Sequence, residues 1–188
     1  MADNPCGTST GIFHLMYGQT ADHSQGFTLI ELVLVLVIAG VIAAIAIPRF
    51  VELGSAAHRA SVSGSAESFR TAVILVQVAY RVNGYAGPGT NDNVIGFGDG
   101  TVDVNTAGFP TDTANRNNIN NATRCVNVWK GILGGAATIS RSNQTAQDTD
   151  YKASRSGQSC TYTYTRDTSA TRSFTYLATN GSVTLSNP

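Results

Sequence analysis

The residues from Phe27 to Ile47 read FTLIELVLVLVIAGVIAAIAI, a 21-residue stretch with one charged side chain, Glu31. Bilayer hydrocarbon is crossed by about 20 residues of helix, so this run predicts a membrane-spanning helix. A buried strand is excluded, because strands seldom exceed about 10 residues. A secretory signal peptide carries a shorter apolar region, about 7–15 residues, that ends in a small-residue cleavage site. AIAIPRF is a poor site of that kind. Glu31 is the anomaly in the run. A carboxylate inside an apolar helix costs about 2.5–3.5 kcal/mol on insertion scales and is normally paired or functional. Four residues after Phe27, it can rest at the interface, just above the lipid. A cut after Gly26 would instead place a new cationic amine one helical turn away from it.

The rest of the composition narrows the function. The chain has 188 residues, with 12 basic and 12 acidic side chains. That length suits one domain with an anchor, and the balance lacks the basic excess of a nucleic-acid binder. Only 13% of residues are charged, against about 25% in a typical soluble domain. From Asn83 to Pro188 the chain is rich in Ser, Thr, Asn and Gly. Three cysteines and three histidines leave little material for a metal cluster. No metal or cofactor is expected.

Beyond the apolar run, Pro48 should bend the helix rather than end it, because a helical pattern resumes behind it. Val62, Ala66, Phe69, Val73, Val76 and Tyr80 recur at alternating spacings of four and three, one face of an amphipathic helix. Arg59, Ser63, Glu67, Arg70 and Gln77 supply polar positions around it, and Asn83-Gly84 is a stop signal. Tyr85 to Arg124 reads as loop, with short strands expected at Val94–Phe97 and Thr101–Val104. GFGDG reads as turn chemistry rather than a nucleotide loop, and Asp99 and Asp103 lack the ligand spacing of a calcium loop. Cys125–Leu133 predicts a short helix whose Val128, Trp129, Ile132 and Leu133 form a core patch. The C-terminal third alternates like antiparallel strands. Cys160, Tyr162 and Tyr164 share one face, as do Phe174, Tyr176 and Ala178, with Val183 and Leu185 beyond Asn180-Gly181. That dipeptide signals a two-residue hairpin. Gly157 turns an earlier hairpin from Tyr151–Ser154, and Arg166–Thr171 form a loop. The expected fold is α+β: a long N-terminal helix under an antiparallel meander of three or four strands.

GFTLIELVLVLVIAGVIAAIAIPRF resembles the N-terminus of a type IV prepilin. The resemblance implies that an inner-membrane prepilin peptidase cuts after Gly26 and that Phe27 becomes N-methylated. It makes Glu31 the assembly glutamate, and Gly40 and Pro48 the positions that loosen the helix. It divides the chain into a leader (1–26), a transmembrane or fibre-core half-helix (27–48), an amphipathic half-helix (49–82) and a head (83–188). The leader departs from the family pattern: it has no Lys or Arg and holds Asp3 and Asp22. The positive-inside rule therefore gives it no cytoplasmic bias. Cys6, His14 and His23 would leave with it. In the remaining chain Cys125 and Cys160 are the cysteines, and an exported compartment makes a disulfide the default; two separate buried thiols are the alternative. The pairing also resembles the pilin disulfide near the C-terminus. SVSGSAESFRTAVILVQVAYRVNG, RCVNVWKGIL, CTYTYT and SFTYLATNGSV resemble segments of pilins of the mannose-sensitive haemagglutinin (MSHA) system, its minor pilin above all.

Chemistry for catalysis is sparse. No GxSxG, HExxH or P-loop occurs, and after loss of the leader His58 is the remaining histidine, expected as a solvated helical residue. Three Asn-x-Ser/Thr sequons, beginning at Asn121, Asn143 and Asn180, are expected by chance in so Asn-rich a chain. The reading is a structural pilin and not an enzyme. The resemblance implies a single-pass inner-membrane subunit with its head outside the cytoplasm. Other pilin subunits, the prepilin peptidase and the pilus assembly machinery would be its partners, and surface adhesion and biofilm formation its roles. A type II secretion pseudopilin is the nearest alternative. A membrane-anchored binding domain or enzyme is the alternative of another class.

Overall fold

The computed structural model describes residues 26–84, 93–135, 137–145 and 148–187. The leader up to residue 25, including Cys6, His14 and His23, lies outside the described residues. By its contacts the chain divides into two compact units, Met1–Ala44 and Ile45–Pro188.

Helix α1 (Leu29–Val82) supplies nearly all of the described part of the first unit and enters the second. It passes Pro48 without ending, as expected. The missing proline N–H removes one bond, to the Ala44 carbonyl, out of a ladder long enough to tolerate the loss. The helix stops where the sequence indicates. Gly84 takes a left-handed φ of 82°, a conformation that costs a Cβ-bearing residue energy. The Asn83 N–H still reaches the Ala79 carbonyl at 3.0 Å.

In the second unit, all six residues of the predicted stripe, Val62 to Tyr80, are buried. A five-stranded sheet covers them, with β3 (Ile139–Arg141) at one edge and four further strands beside it in sequence order. Strands β4 (Tyr151–Ser156), β5 (Ser159–Tyr164), β6 (Ser173–Leu177) and β7 (Ser182–Ser186) pair antiparallel in sequence order. This is the expected meander. Alternation puts Tyr151, Ala153, Cys160, Tyr162, Phe174 and Tyr176 inward, all buried. Phe69 is the hub of α1: its ring centroid lies 5.1 Å from Tyr162, 5.3 Å from Tyr176, 5.6 Å from Phe174 and 6.1 Å from Trp129. Burying one such ring contributes about 1.5–3 kcal/mol.

Helix α2 (Ala122–Leu133) closes the other side of the core. It begins three residues earlier than expected, because the Asn121 side chain accepts the Arg124 N–H at 3.1 Å and caps the helix. A sequon residue thus serves as an N-cap. Val128, Trp129 and Ile132 are buried, and Leu133 packs against them, as predicted. The Trp129 indole donates to the Ala137 carbonyl at 3.1 Å.

The structure corrects four further expectations. Val94–Phe97 is turn, not strand, with Gly96, Gly98 and Gly100 all at positive φ. The strand expected at Thr101–Val104 shortens to β1 (Asp103–Val104), which pairs with β2 (Pro110–Asp112). The sheet gains a fifth strand outside the expected antiparallel meander: β3 (Ile139–Arg141) runs parallel to β4. The β6–β7 connection, Ala178 to Gly181, has four residues rather than two, closed by Gly181 N–H to the Leu177 carbonyl at 2.9 Å.

Buried ion pairs tie loops to this core. Arg124 on α2 meets Asp112 on β2 at 3.3 Å, and the Asn127 amide donates to the same carboxylate at 2.7 Å. Arg172 meets Asp167 at 2.6 Å and donates to the Ser55 hydroxyl of α1 at 3.0 Å. Ser169 hydroxyl and Arg172 together hold Asp167 well below the usual carboxylate range.

Candidate processing and assembly site

Gly26, Phe27 and Thr28 precede the helix in non-helical backbone. Phe27 is 79% exposed, and a Cβ placed on Gly26 would meet nothing within 4 Å. Among the described residues nothing covers the Gly26–Phe27 peptide. The first helical turn explains why it stays outside the helix. The Thr28 hydroxyl accepts the Glu31 N–H at 3.3 Å and donates to Glu31 Oε2 at 3.2 Å. The Thr28 N–H points back to the same Oε2 at 3.5 Å. This is a capping box, in which Thr and Glu three residues apart satisfy each other's free backbone donors. It sets the helix start at Leu29.

Sequence reasoning gave Glu31 an interfacial or inter-subunit role and passed over Thr28. The T-x-x-E spacing before an apolar run was the signal that finds it. Both bonds use Oε2, which leaves Oε1 for a second donor. The carboxylate also sits in the first turn, where the helix dipole favours a negative charge.

Behind this cap the helix is apolar on every side. Leu29 to Ile47 keep their large side chains about half or more exposed, and the helix is long and apolar enough to cross a membrane. Gly40 has nothing near its missing Cβ, and Pro48 lies inside α1. The first ion pair after the run is Arg49–Glu52, at 3.8 Å on the surface.

The head holds the Cys125–Cys160 disulfide, with Cα atoms 5.5 Å apart and both residues fully buried. It joins the first turn of α2 to the inward face of β5. Tyr162, two residues on, donates its hydroxyl to the Cys125 carbonyl at 3.0 Å, and its burial pushes its pKa well up. Asp150, on the surface, is held by several donors. Arg166 donates to it at 2.8 Å, and the Thr138 N–H and hydroxyl do so at 2.9 and 2.7 Å. Those bonds, Arg166 first, bring its pKa down to about 2.

The other singled-out residues are occupied by the fold. Asp99 accepts the Thr101 N–H and hydroxyl, which lowers its pKa. Asp103 is buried and accepts the N–H groups of Asn93 and Arg116. His58 is half-buried rather than solvated, with its ring 5.7 Å from that of Tyr164. Among the described residues no cluster of three or more His, Cys, Asp or Glu could hold a metal ion. A surface cavity of about 520 Å³ beside Trp129 has, among the described residues, Lys130 as the titratable side chain of its lining.

Comparison with known proteins agrees with this geometry at the N-terminus. Residues 22–47 match the prokaryotic N-terminal methylation motif. The type IV narrow pilus major component PilA5 of Thermus thermophilus is 47% identical over 55 residues, which cover 29% of this chain and 47% of that protein. The match thus spans about half the length of this curated relative. No solved structure matches the chain. The chain carries a prokaryotic N-terminal methylation motif at the head of a long helix, on a type IV pilin-like α+β fold.

Proposed function

We propose that this chain is the precursor of a type IV pilus subunit, cut between Gly26 and Phe27 and then N-methylated on Phe27. The observation that carries the reading is the non-helical Gly26–Phe27 peptide standing directly before a capped helix that is apolar all round. A peptidase takes its substrate in extended form, and the Thr28–Glu31 box confines helix to the residues after the cut. The precursor would sit in the inner membrane with its head outside the cytoplasm. The assembly machinery would then draw it into a surface fibre. Resemblance of the head segments favours an MSHA-like pilus, with this chain as a minor subunit serving adhesion and biofilm formation.

In the fibre the Glu31 carboxylate is too costly to stand alone among apolar helices. A neighbouring subunit's Phe27 amine supplies a partner for Oε1, and a mismatched register leaves both charges unpaired. Gly40 and Pro48 give the helix freedom to adjust as subunits pack. The test is mass spectrometry of the N-terminal peptide from surface fibres. A methylated Phe27 terminus is expected; an intact leader in assembled fibres overturns the reading. Glu31→Ala should leave membrane insertion intact and deplete the subunit from fibres at native expression, and undiminished incorporation removes the pairing role.

A further inference from the structure

Asn83-Gly84 and Asn180-Gly181 are the Asn-Gly steps of this chain. Asparagine is a thermolabile residue, and it loses its amide most readily before glycine. The next backbone nitrogen attacks the side-chain carbonyl carbon, and glycine has no side chain to obstruct the approach. Both asparagines are exposed, so access to water does not separate them. Their bonds do. The Gly181 N–H donates to the Leu177 carbonyl at 2.9 Å, and the Asn180 carboxamide oxygen accepts the Ser182 N–H at 3.0 Å. The Phe109 ring lies against Gly181, where an added Cβ would strike it. That nitrogen is locked into the closure of β6 on β7. The Gly84 N–H makes a longer bond, 3.3 Å to the Arg81 carbonyl. Among the described residues nothing lies within 4 Å of a Cβ placed on Gly84. Gly84 belongs to the turn that ends α1, and helix ends open locally at low cost.

We propose that Asn83 is a site of spontaneous deamidation, and that the reaction frees the 94–97 turn from the end of α1. The Gly84 nitrogen bonds to Asn83 Cγ, the Cγ–Nδ2 bond breaks, and Nδ2 leaves as ammonia with the Gly84 amide proton. Water then opens the five-membered imide at either carbonyl, which gives aspartate or an isoaspartyl linkage. The overall reaction consumes one water and changes no oxidation state. What Nδ2 holds makes the loss matter: it donates to the Ile95 carbonyl and so ties the turn to the helix end. Ile95 and Phe97 form one wall of a surface groove of about 370 Å³, and Leu75, Val78 and Val82 form the other. A carboxylate at position 83 has no hydrogen to donate, so it leaves two acceptors facing each other. It also puts a negative charge at the C-terminal end of a helix, where the helix dipole opposes it. An isoaspartyl linkage lengthens the backbone by one further atom and displaces the chain that follows. The inference stands apart from the pilin reading, since it uses only groups within the second unit.

Ageing of the full chain in detergent at neutral pH tests this. Peptide mapping reads the mass change from amide to acid, and isoaspartyl methyltransferase labels the isoaspartyl product. In the folded chain the Asn83 peptide should convert roughly tenfold or more faster than the Asn180 peptide, because the firmer bond and the Phe109 contact must be broken at the second site. In urea, with the fold removed, the two rates should converge. An Asn83 peptide that stays intact, or an Asn180 peptide that converts as fast in the folded chain, overturns the proposal. So does a gap that survives in urea, since the fold would then not be its cause. The release of the turn is read separately. Asn83→Asp should speed amide exchange at residues 94–97, while exchange in β5 and the Cys125–Cys160 disulfide stay as in wild type. Asn83→Gln keeps a donor and loses its amide far more slowly, so its turn should remain protected after the same ageing. Wild-type exchange at residues 94–97 in Asn83→Asp overturns the release.

Discussion

The two halves of α1 are both helical, for opposite reasons. From Leu29 to Ile47 the helix is apolar on all sides and buries almost nothing against its own chain. From Val62 to Tyr80 one stripe is fully covered and the remainder faces outward. The first half takes its conformation from its surroundings: in lipid, a helix satisfies every backbone donor and acceptor within itself. The second half is held by the packing of its stripe under a sheet. Disturbing the head should therefore leave the first half untouched, and disturbing the cap should leave the head untouched.

The largest expected effect is that of Phe69→Ala. This ring meets four aromatic neighbours from α2, β5 and β6. Large-to-small changes at such sites cost about 3–5 kcal/mol, a major share of a domain's stability of about 5–15 kcal/mol. Thermal unfolding of the full chain in detergent should show a large fall in the head's midpoint, while membrane insertion stays at the wild-type level. A head as stable as wild type would mean that the sheet stands without α1.

Loss of the disulfide comes next. A bridge across a separation of 35 residues contributes about 3–4 kcal/mol in the chain-entropy account. In Cys125→Ser or Cys160→Ser, limited proteolysis should cut first between these positions. The tie from β3 to β4 and the Trp129 bond to Ala137 should keep the segment partly protected. Peptide mapping of the wild type should recover Cys125 linked to Cys160, and two free thiols would contradict it.

Acid should loosen the same region by a smaller amount. Asp150 is held ionised in the folded head down to about pH 2 by its Arg166 and Thr138 bonds, against an ordinary aspartate value of 3.8. A depressed carboxylate pKa contributes stability that is full above about pH 4, falls between about pH 4 and 2, and is gone below. With solvent screening of a partly exposed group, the loss is about 1–2 kcal/mol. Asp150→Asn should flatten that part of the pH profile. An unchanged profile would shift the acid sensitivity to Asp167, whose depressed pKa acts in the same direction.

The smallest effect belongs to the cap. Thr28→Ala should cost about 1 kcal/mol at the helix start, seen as faster amide exchange at Leu29 to Leu32. Glu31→Gln keeps the box, since Gln also completes it, and should retain that protection while losing the charge. Equal fraying in both variants would show that charge, rather than the box, sets the helix start.

Sequence alone determined the pieces that repeat with a period. The stripe from Val62 to Tyr80 and the alternating strands after Tyr151 are legible because 3.6-residue and two-residue periods record which face is covered, and the apolar run because its length and lack of charge match a bilayer. It also brought Cys125 and Cys160 forward as a pair. The capping box was written in the sequence too, though it was overshadowed by the charge of Glu31. Tertiary structure decided the rest. Strand β3 is three residues long inside a polar run, too short to show a period, and exists because β4 offers it an edge. Asn121 is one of several asparagines before α2, and only the fold selects which one caps. Arg172 reaches across 117 positions to Ser55. The groove at Val78 depends on Ile95 and Phe97 arriving beside α1 from a turn. Contacts between residues far apart in sequence carry no local period, so no pattern within one segment can announce them.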